Sequence, residues 1–203
     1  MQVNKKNSSM REYAYFMLKI WRKLKSFINR LYSRKCYGYE VIEQSIQGKI
    51  GLEIGSPSSI FFTEGILPIY KSVKRLDHVN FAEETVWNRS GSEGKRANYY
   101  FGAEPGYQFI SEATALPRIG SETYEFVLSS HVLEHIANPL KALTEWKRIL
   151  KVNGVILLIL PHKSGTFDHK RTITSFAHIE KDYKNDITEA DLTHLEEILM
   201  LHD

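Results

Sequence analysis

The stretch Tyr124-Glu125-Phe126-Val127-Leu128-Ser129-Ser130-His131-Val132-Leu133-Glu134-His135-Ile136, followed shortly by Asn138-Pro139, decides how the rest of the chain is read. Phe126 to Ser130 is a short, largely apolar run of the kind that makes a strand buried on both faces. Asn138 is a helix cap and Pro139 suits a first helical turn. The spacing predicts a helix over 139–151, closed by Asn153-Gly154, and then a second apolar strand over 155–160. Strand, helix and strand in this order form the unit of a parallel sheet covered by helices.

Upstream, three more strands are expected, over 49–54, 73–77 and 109–112, so the body reads as an α/β fold with a doubly wound, mostly parallel sheet of about five strands. In such a sheet ligands sit at the carboxyl ends of the strands, near the point where strand order reverses. Those ends are polar or small here. The first is Glu53-Ile54-Gly55-Ser56, the second is Asp77 with His78 beside it, the third is Glu112-Ala113, and the fourth is Ser129-Ser130-His131. Carboxylates after two strands, beside a glycine turn, suit a ligand with ribose hydroxyls and an amino group. The irregular stretch 81–108, with Trp87, Tyr99, Tyr100, Phe101 and Tyr107, is long for a plain connection and can fold over such a ligand.

At these residues the sequence resembles the class I S-adenosylmethionine-dependent methyltransferases, in the group called methyltransferase type 11. Glu53-Ile54-Gly55 looks like the family's first motif. The resemblance makes Asp77 the residue that holds the cofactor ribose, and the stretch from Glu112-Ala113 to Leu116-Pro117 the one that flanks adenine. It therefore implies S-adenosyl-L-methionine as cofactor and Glu53, Gly55, Ser56, Asp77, His78, Glu112, Ala113, Ser130 and His131 as cofactor-binding residues. The reaction implied is methyl transfer to a hydroxyl or amine of a small-molecule or glycan acceptor. Its alternative is a cofactor-binding module of the same fold that is inactive or needs a partner. Where the family's first motif continues with alternating glycines, this chain has Pro57 and Ser59, so its loop must take another path.

Other constellations compete. Tyr70 and Lys74 have the spacing of a dehydrogenase pair but precede the second strand, where that pair does not belong. His131, Glu134 and His135 form an H-x-x-E-H pattern, but zinc proteolysis would need them on a helix, and here the pattern follows a strand directly. No metal is expected. The loop after the fifth strand, from Pro161 to Arg171, is dense in titratable groups and leaves the ligand edge. Asp168 and His169 are the candidate catalytic pair there, with Lys170 or Arg171 reading an acidic acceptor.

The chain of 203 residues holds 42% apolar and 25% charged residues, ordinary globular proportions that exclude disorder and collagen-like sequence. A lone cysteine, Cys36, excludes an internal disulfide and fits a reducing, cytoplasmic setting. The net charge of +3 averages two opposite parts. Residues 1–35 hold ten Lys and Arg against Glu12 alone, and the remainder is acidic. Apolar residues at helical spacing from Tyr13 to Tyr32 make residues 1–37 a basic amphipathic leader ahead of a body over 38–203. Two readings of the leader stay open: a helix packed on its own body, or contact with an anionic membrane surface through residues 10–35, peripheral at the inner face. Nucleic acid lacks any supporting motif. Near the end, Thr188-Glu189-Ala190-Asp191 resembles a capping box before a helical run to Asp203. No strand signal follows, whereas the family fold continues with two strands. The expectation is a C-terminally shortened body whose open edge invites a homodimer or a completing partner chain.

Overall fold

The computed structural model describes residues 35–83, 93–96 and 104–202. Helix α1 (Tyr39–Ile46) leads into β1 (Ile50–Ile54), β2 (Arg75–Asn80), the short β3 (Gly94–Arg96) and β4 (Gly106–Ile110). Then come β5 (Tyr124–Ser130), α2 (Pro139–Ile149), β6 (Leu150–Ile159), α3 (Phe176–Lys184) and α4 (Leu195–Leu201). The strands form one sheet in the order β3-β4-β2-β1-β5-β6. All neighbours pair in parallel except β3, which runs antiparallel to β4. The chain first builds outward from β1 through β2 to β4, then returns to the other side of β1 with β5 and β6. This is the expected Rossmann-like doubly wound sheet, and its strand order reverses between β1 and β5.

Each sheet face has its own core. On one side, Ala142, Trp146 and Ile149 of α2 close over Leu52, Ile54 and Val127. On the other, Tyr39 and Ile46 of α1, with Phe61, Leu67 and Ile69, cover Leu76, Phe126 and Leu128. The alternation of Phe126, Val127 and Leu128 between the two cores is the period of a strand buried on both faces. Gly51 serves the second core, because a Cβ there would lie 2.1 Å from the Phe126 ring.

Several boundaries differ from the sequence expectation. Strand β2 runs three residues past Asp77, because His78, Val79 and Asn80 ladder with Gln108, Phe109 and Ile110 of β4. Strand β4 accordingly begins at Gly106 instead of residue 109. Helix α2 is capped as expected, with the Asn138 side chain accepting from Lys141 N, but it stops at Ile149. Leu150 is buried and already pairs with Tyr124 of β5, so sheet pairing takes over where the helix was expected to go on. Asn153, at φ 64°, then lies within a bulged β6 rather than behind a helix.

The helix expected from Thr188 begins only at Leu195. Its supposed capping groups bond nearer neighbours: Thr188 Oγ1 accepts from Ala190 N at 3.4 Å, and Asp191 accepts from Thr193 N and Oγ1 at 3.3 and 2.6 Å. Among the described residues β6 has a strand neighbour on one side only. No helix among them is long and apolar enough to cross a membrane. Of the leader only residues 35–37 are described, and Trp87, Tyr99, Tyr100 and Phe101 also lie outside the described residues.

Candidate cofactor site at the carboxyl edge of the sheet

The chain leaves β1 through Gly55, whose φ is 75° and whose N–H donates to the Val79 carbonyl at 2.9 Å. A Cβ here would lie 2.3 Å from Cγ2 of Val132, so the turn needs glycine both for its left-handed backbone and for the close approach of the segment after β5. The loop that follows is held by side chains instead of further glycines. Ser58 N donates to Glu53 Oε1 at 3.1 Å and to the Tyr70 hydroxyl at 3.0 Å, while Ser58 Oγ bonds Ser130 Oγ at 3.1 Å. Buried Ser56 accepts from Asn80 Nδ2 at 3.4 Å. The ends of β1, β2 and β5 are thereby tied together around the strand-order reversal. This is the path that Pro57 and Ser59 impose in place of the alternating glycines.

The expected site residues fall into two groups. Gly55, Ser56, Ser130 and His131 gather at the carboxyl ends of β1 and β5, and Glu112 and Ala113 lie just beyond β4. Ala113 is positioned by α2, since Trp146 Nε1 donates to its carbonyl at 2.9 Å. His131 sits at φ 55° with its N–H on the Ile159 carbonyl at 3.0 Å, an exposed side chain on a left-handed backbone. Glu53, Asp77 and His78 form the second group and face inward. The Glu53 carboxylate accepts from the Tyr70 hydroxyl at 2.8 Å and lies 3.7 Å from His78 Nδ1, with both residues buried.

Asp77 is not the last residue of its strand. Its Oδ1 accepts from Tyr107 N at 2.9 Å, its Oδ2 accepts from the Tyr124 hydroxyl at 2.8 Å, and Arg75 Nε lies 3.3 Å away. Burial, followed by the Asp77 charge, pushes the Tyr124 phenol above its usual range. The side chain at the true end of β2 is the buried Asn80, which sequence reasoning missed because that strand was read as ending three residues earlier.

The loop after β6 gathers titratable groups in an unexpected pairing. Asp168 Oδ1 lies 3.0 Å from His202 Nδ1 and its Oδ2 accepts from Arg171 at 3.2 Å, and these bonds, His202 first, hold its carboxyl below the usual range. His169 Nδ1 lies 3.2 Å from the Thr166 carbonyl. The decoys resolve structurally. Tyr70 is a buried scaffold residue, whereas Lys74 is half-exposed and 3.5 Å from Glu104. Leu133–His135 is a 3₁₀ turn, and among the described residues no group of three or more His, Cys, Asp or Glu is arranged to hold a metal ion.

A glycine turn at the strand-order reversal, with small and polar side chains at the neighbouring strand ends, fits a nucleoside bearing an amino-acid tail. A methyltransferase-domain family model matches residues 68–158. The match begins beyond the glycine turn, where Pro57 and Ser59 depart from the family pattern. No protein of curated function matches the chain. Among solved structures it is similar to YcgJ of Bacillus subtilis, at 18% identity and a TM-score of 0.42 over 60% of this chain and 49% of that one. It is also similar to a SAM-dependent methyltransferase of Aquifex aeolicus, at 21% identity and a TM-score of 0.39 over 57% of this chain and 58% of that one. A third similar structure is a Haloferax volcanii protein solved in complex with the Trm112 methyltransferase activator, at 16% identity and a TM-score of 0.46 over 73% of this chain and 67% of that one. The chain thus spans about half the length of the first of these. Residues 68–158, a little under half of the chain, thus match a methyltransferase domain, and S-adenosylmethionine is the cofactor that this match implies.

Proposed function

We propose that this chain binds S-adenosylmethionine along the carboxyl edge of β4, β2, β1 and β5 and directs its methyl group to an oxygen or nitrogen of a small-molecule or glycan acceptor. The observation that carries this reading is the Gly55 turn at the β1/β5 reversal, where backbone comes close enough to Val132 to exclude any side chain. The cofactor supplies an already activated methyl sulfonium, so the protein's work is alignment, exclusion of water and removal of one proton. Gly55 and Ser56 offer backbone to the amino-acid end. Asn80 stands at the end of β2, where ribose hydroxyls need a partner, and Glu112 with Ala113 receives the base. Ser130 and His131 border the reacting end.

Asp168 and His169 are proposed to serve the acceptor. His169 takes its proton, and Asp168, locked to His202 and Arg171, holds the loop in place. Replacing His169 with Ala should then lower turnover and leave cofactor affinity unchanged. Calorimetric titration with S-adenosylmethionine and S-adenosylhomocysteine tests the reading as a whole. Saturable binding is expected, and no heat up to millimolar ligand overturns it.

A second reading, a module that needs another chain, is favoured by the open edge of β6. Unpaired strand edges recruit strands from other molecules. Sedimentation velocity of the purified chain distinguishes the two, since a monomer that turns over cofactor excludes the second.

A further inference from the structure

Helices α3 and α4 carry no buried residue, so apolar packing contributes little to holding them together. A pair of histidines links them. Nε2 of His178, in the first turn of α3, lies 3.1 Å from Nε2 of His194, the residue before α4, and the two rings meet edge to face with centroids 5.0 Å apart. Each ring has a carboxylate beside it. Glu197 Oε2 is 3.4 Å from His194 Nδ1, and Asp182 Oδ2 is 3.2 Å from His178 Nε2. Glu197 is held in turn by Arg171 Nη2 at 3.4 Å. The end of α3 is anchored to the body, because the side chain of Asn138, 1% exposed, donates to the carbonyls of Asp182 and Ile187 at 3.2 and 3.3 Å.

The carboxylates decide where the ring protons sit. Glu197 favours a proton on His194 Nδ1 and so leaves a lone pair on His194 Nε2. His178 Nε2 then carries the hydrogen that lies between Asp182 and His194. A divalent ion can take the place of that hydrogen. Two zinc–nitrogen bonds of about 2.0–2.1 Å at the tetrahedral angle put their nitrogens about 3.3 Å apart, close to the separation of this pair. As the ion joins Nε2 of His178, that ring keeps its proton on Nδ1, so both imidazoles stay neutral ligands. The negative charges of Asp182 and Glu197 favour a cation between the rings. Two imidazoles are fewer protein donors than a closed metal centre has, and water or an oxygen-bearing ligand completes the shell.

The geometry points to a divalent transition-metal site at His178 and His194 that clamps α3 to α4. It does not depend on the cofactor reading above. Titration of the full chain with zinc chloride, followed by calorimetry and by thermal melting, tests it. Saturable binding of one ion per chain is expected, with a rise in melting temperature, because an ion held only by the folded chain stabilises it. His178→Gln and His194→Gln should each weaken binding about tenfold or more and abolish the rise in melting temperature. Both side chains are half-buried, and if one variant fails to fold the other carries the test. Absence of saturable binding up to millimolar zinc overturns the site, and so does wild-type affinity in a folded variant.

Discussion

Asp77 shows how three extra residues of strand change what a carboxylate does. As the last residue of β2 it would face the ligand edge, but in mid-strand it accepts from the Tyr124 hydroxyl and the Tyr107 amide. Asp77→Ala leaves both of these donors without a partner and should cost about 1–3 kcal/mol of stability in chemical denaturation. Its cofactor affinity per folded molecule should stay unchanged, and a loss of affinity with full stability would return Asp77 to the ribose site. His131 makes the opposite case. A histidine at φ 55° carries backbone strain that glycine does not. His131→Gly should therefore raise stability by about 0.5–1 kcal/mol while weakening cofactor or acceptor binding. Thermal melting and calorimetry on one preparation check both, and unchanged binding would make the strain unrelated to function.

At the scale of elements, α2 organises the site. Its Asn138 holds the end of α3 and its Trp146 the loop after β4, and its Glu145 accepts from Leu116 N at 2.7 Å and from Arg148 Nη2 at 2.7 Å. The Arg148 side chain first, with the Leu116 amide also contributing, keeps the Glu145 carboxyl below its ordinary 4.5. A depressed folded-state pKa stabilises fully above the unfolded value and is lost as pH falls through the folded one. Glu145→Gln should thus lose about 1–2 kcal/mol near neutral pH and converge on wild type in acid, as read by urea denaturation at several pH values. A pH-independent difference would point to packing instead of charge. This helix was legible in the sequence as far as its cap, since Asn138-Pro139 is local chemistry. Its end was not legible, because it depends on Leu150 pairing with Tyr124, 26 residues away along the chain.

Over the whole molecule, charge divides more sharply than structure. Residues 1–35 carry the whole of the basic excess, with ten Lys and Arg against one Glu, and the body is acidic. A basic segment beside an anionic bilayer gains about 1 kcal/mol per Lys or Arg, and the acidic body is repelled, which favours a leader that touches the surface while the body stays off it. Sedimentation with vesicles containing phosphatidylserine should pull down the full chain and lose it on deletion of residues 1–35 or at high salt. Equal sedimentation with and without the leader would assign those residues to packing on the body. The open β6 edge belongs to the same scale, since what completes it is a property of the assembly.

The sequence by itself determined the class of sheet, the Gly55 turn, the cap of α2 and the methyltransferase resemblance. These rest on local causes: apolar runs of strand length, a glycine where no Cβ fits, an asparagine that caps. Only the tertiary structure decided that Glu53 and Asp77 face inward, that Asn80 ends β2, that Asp168 pairs with the distant His202, and that residues 187–190 close a cleft against Glu112. Strand ends and side-chain partners are set by ladders and contacts between residues distant in the chain, and periodicity along a single chain does not record them.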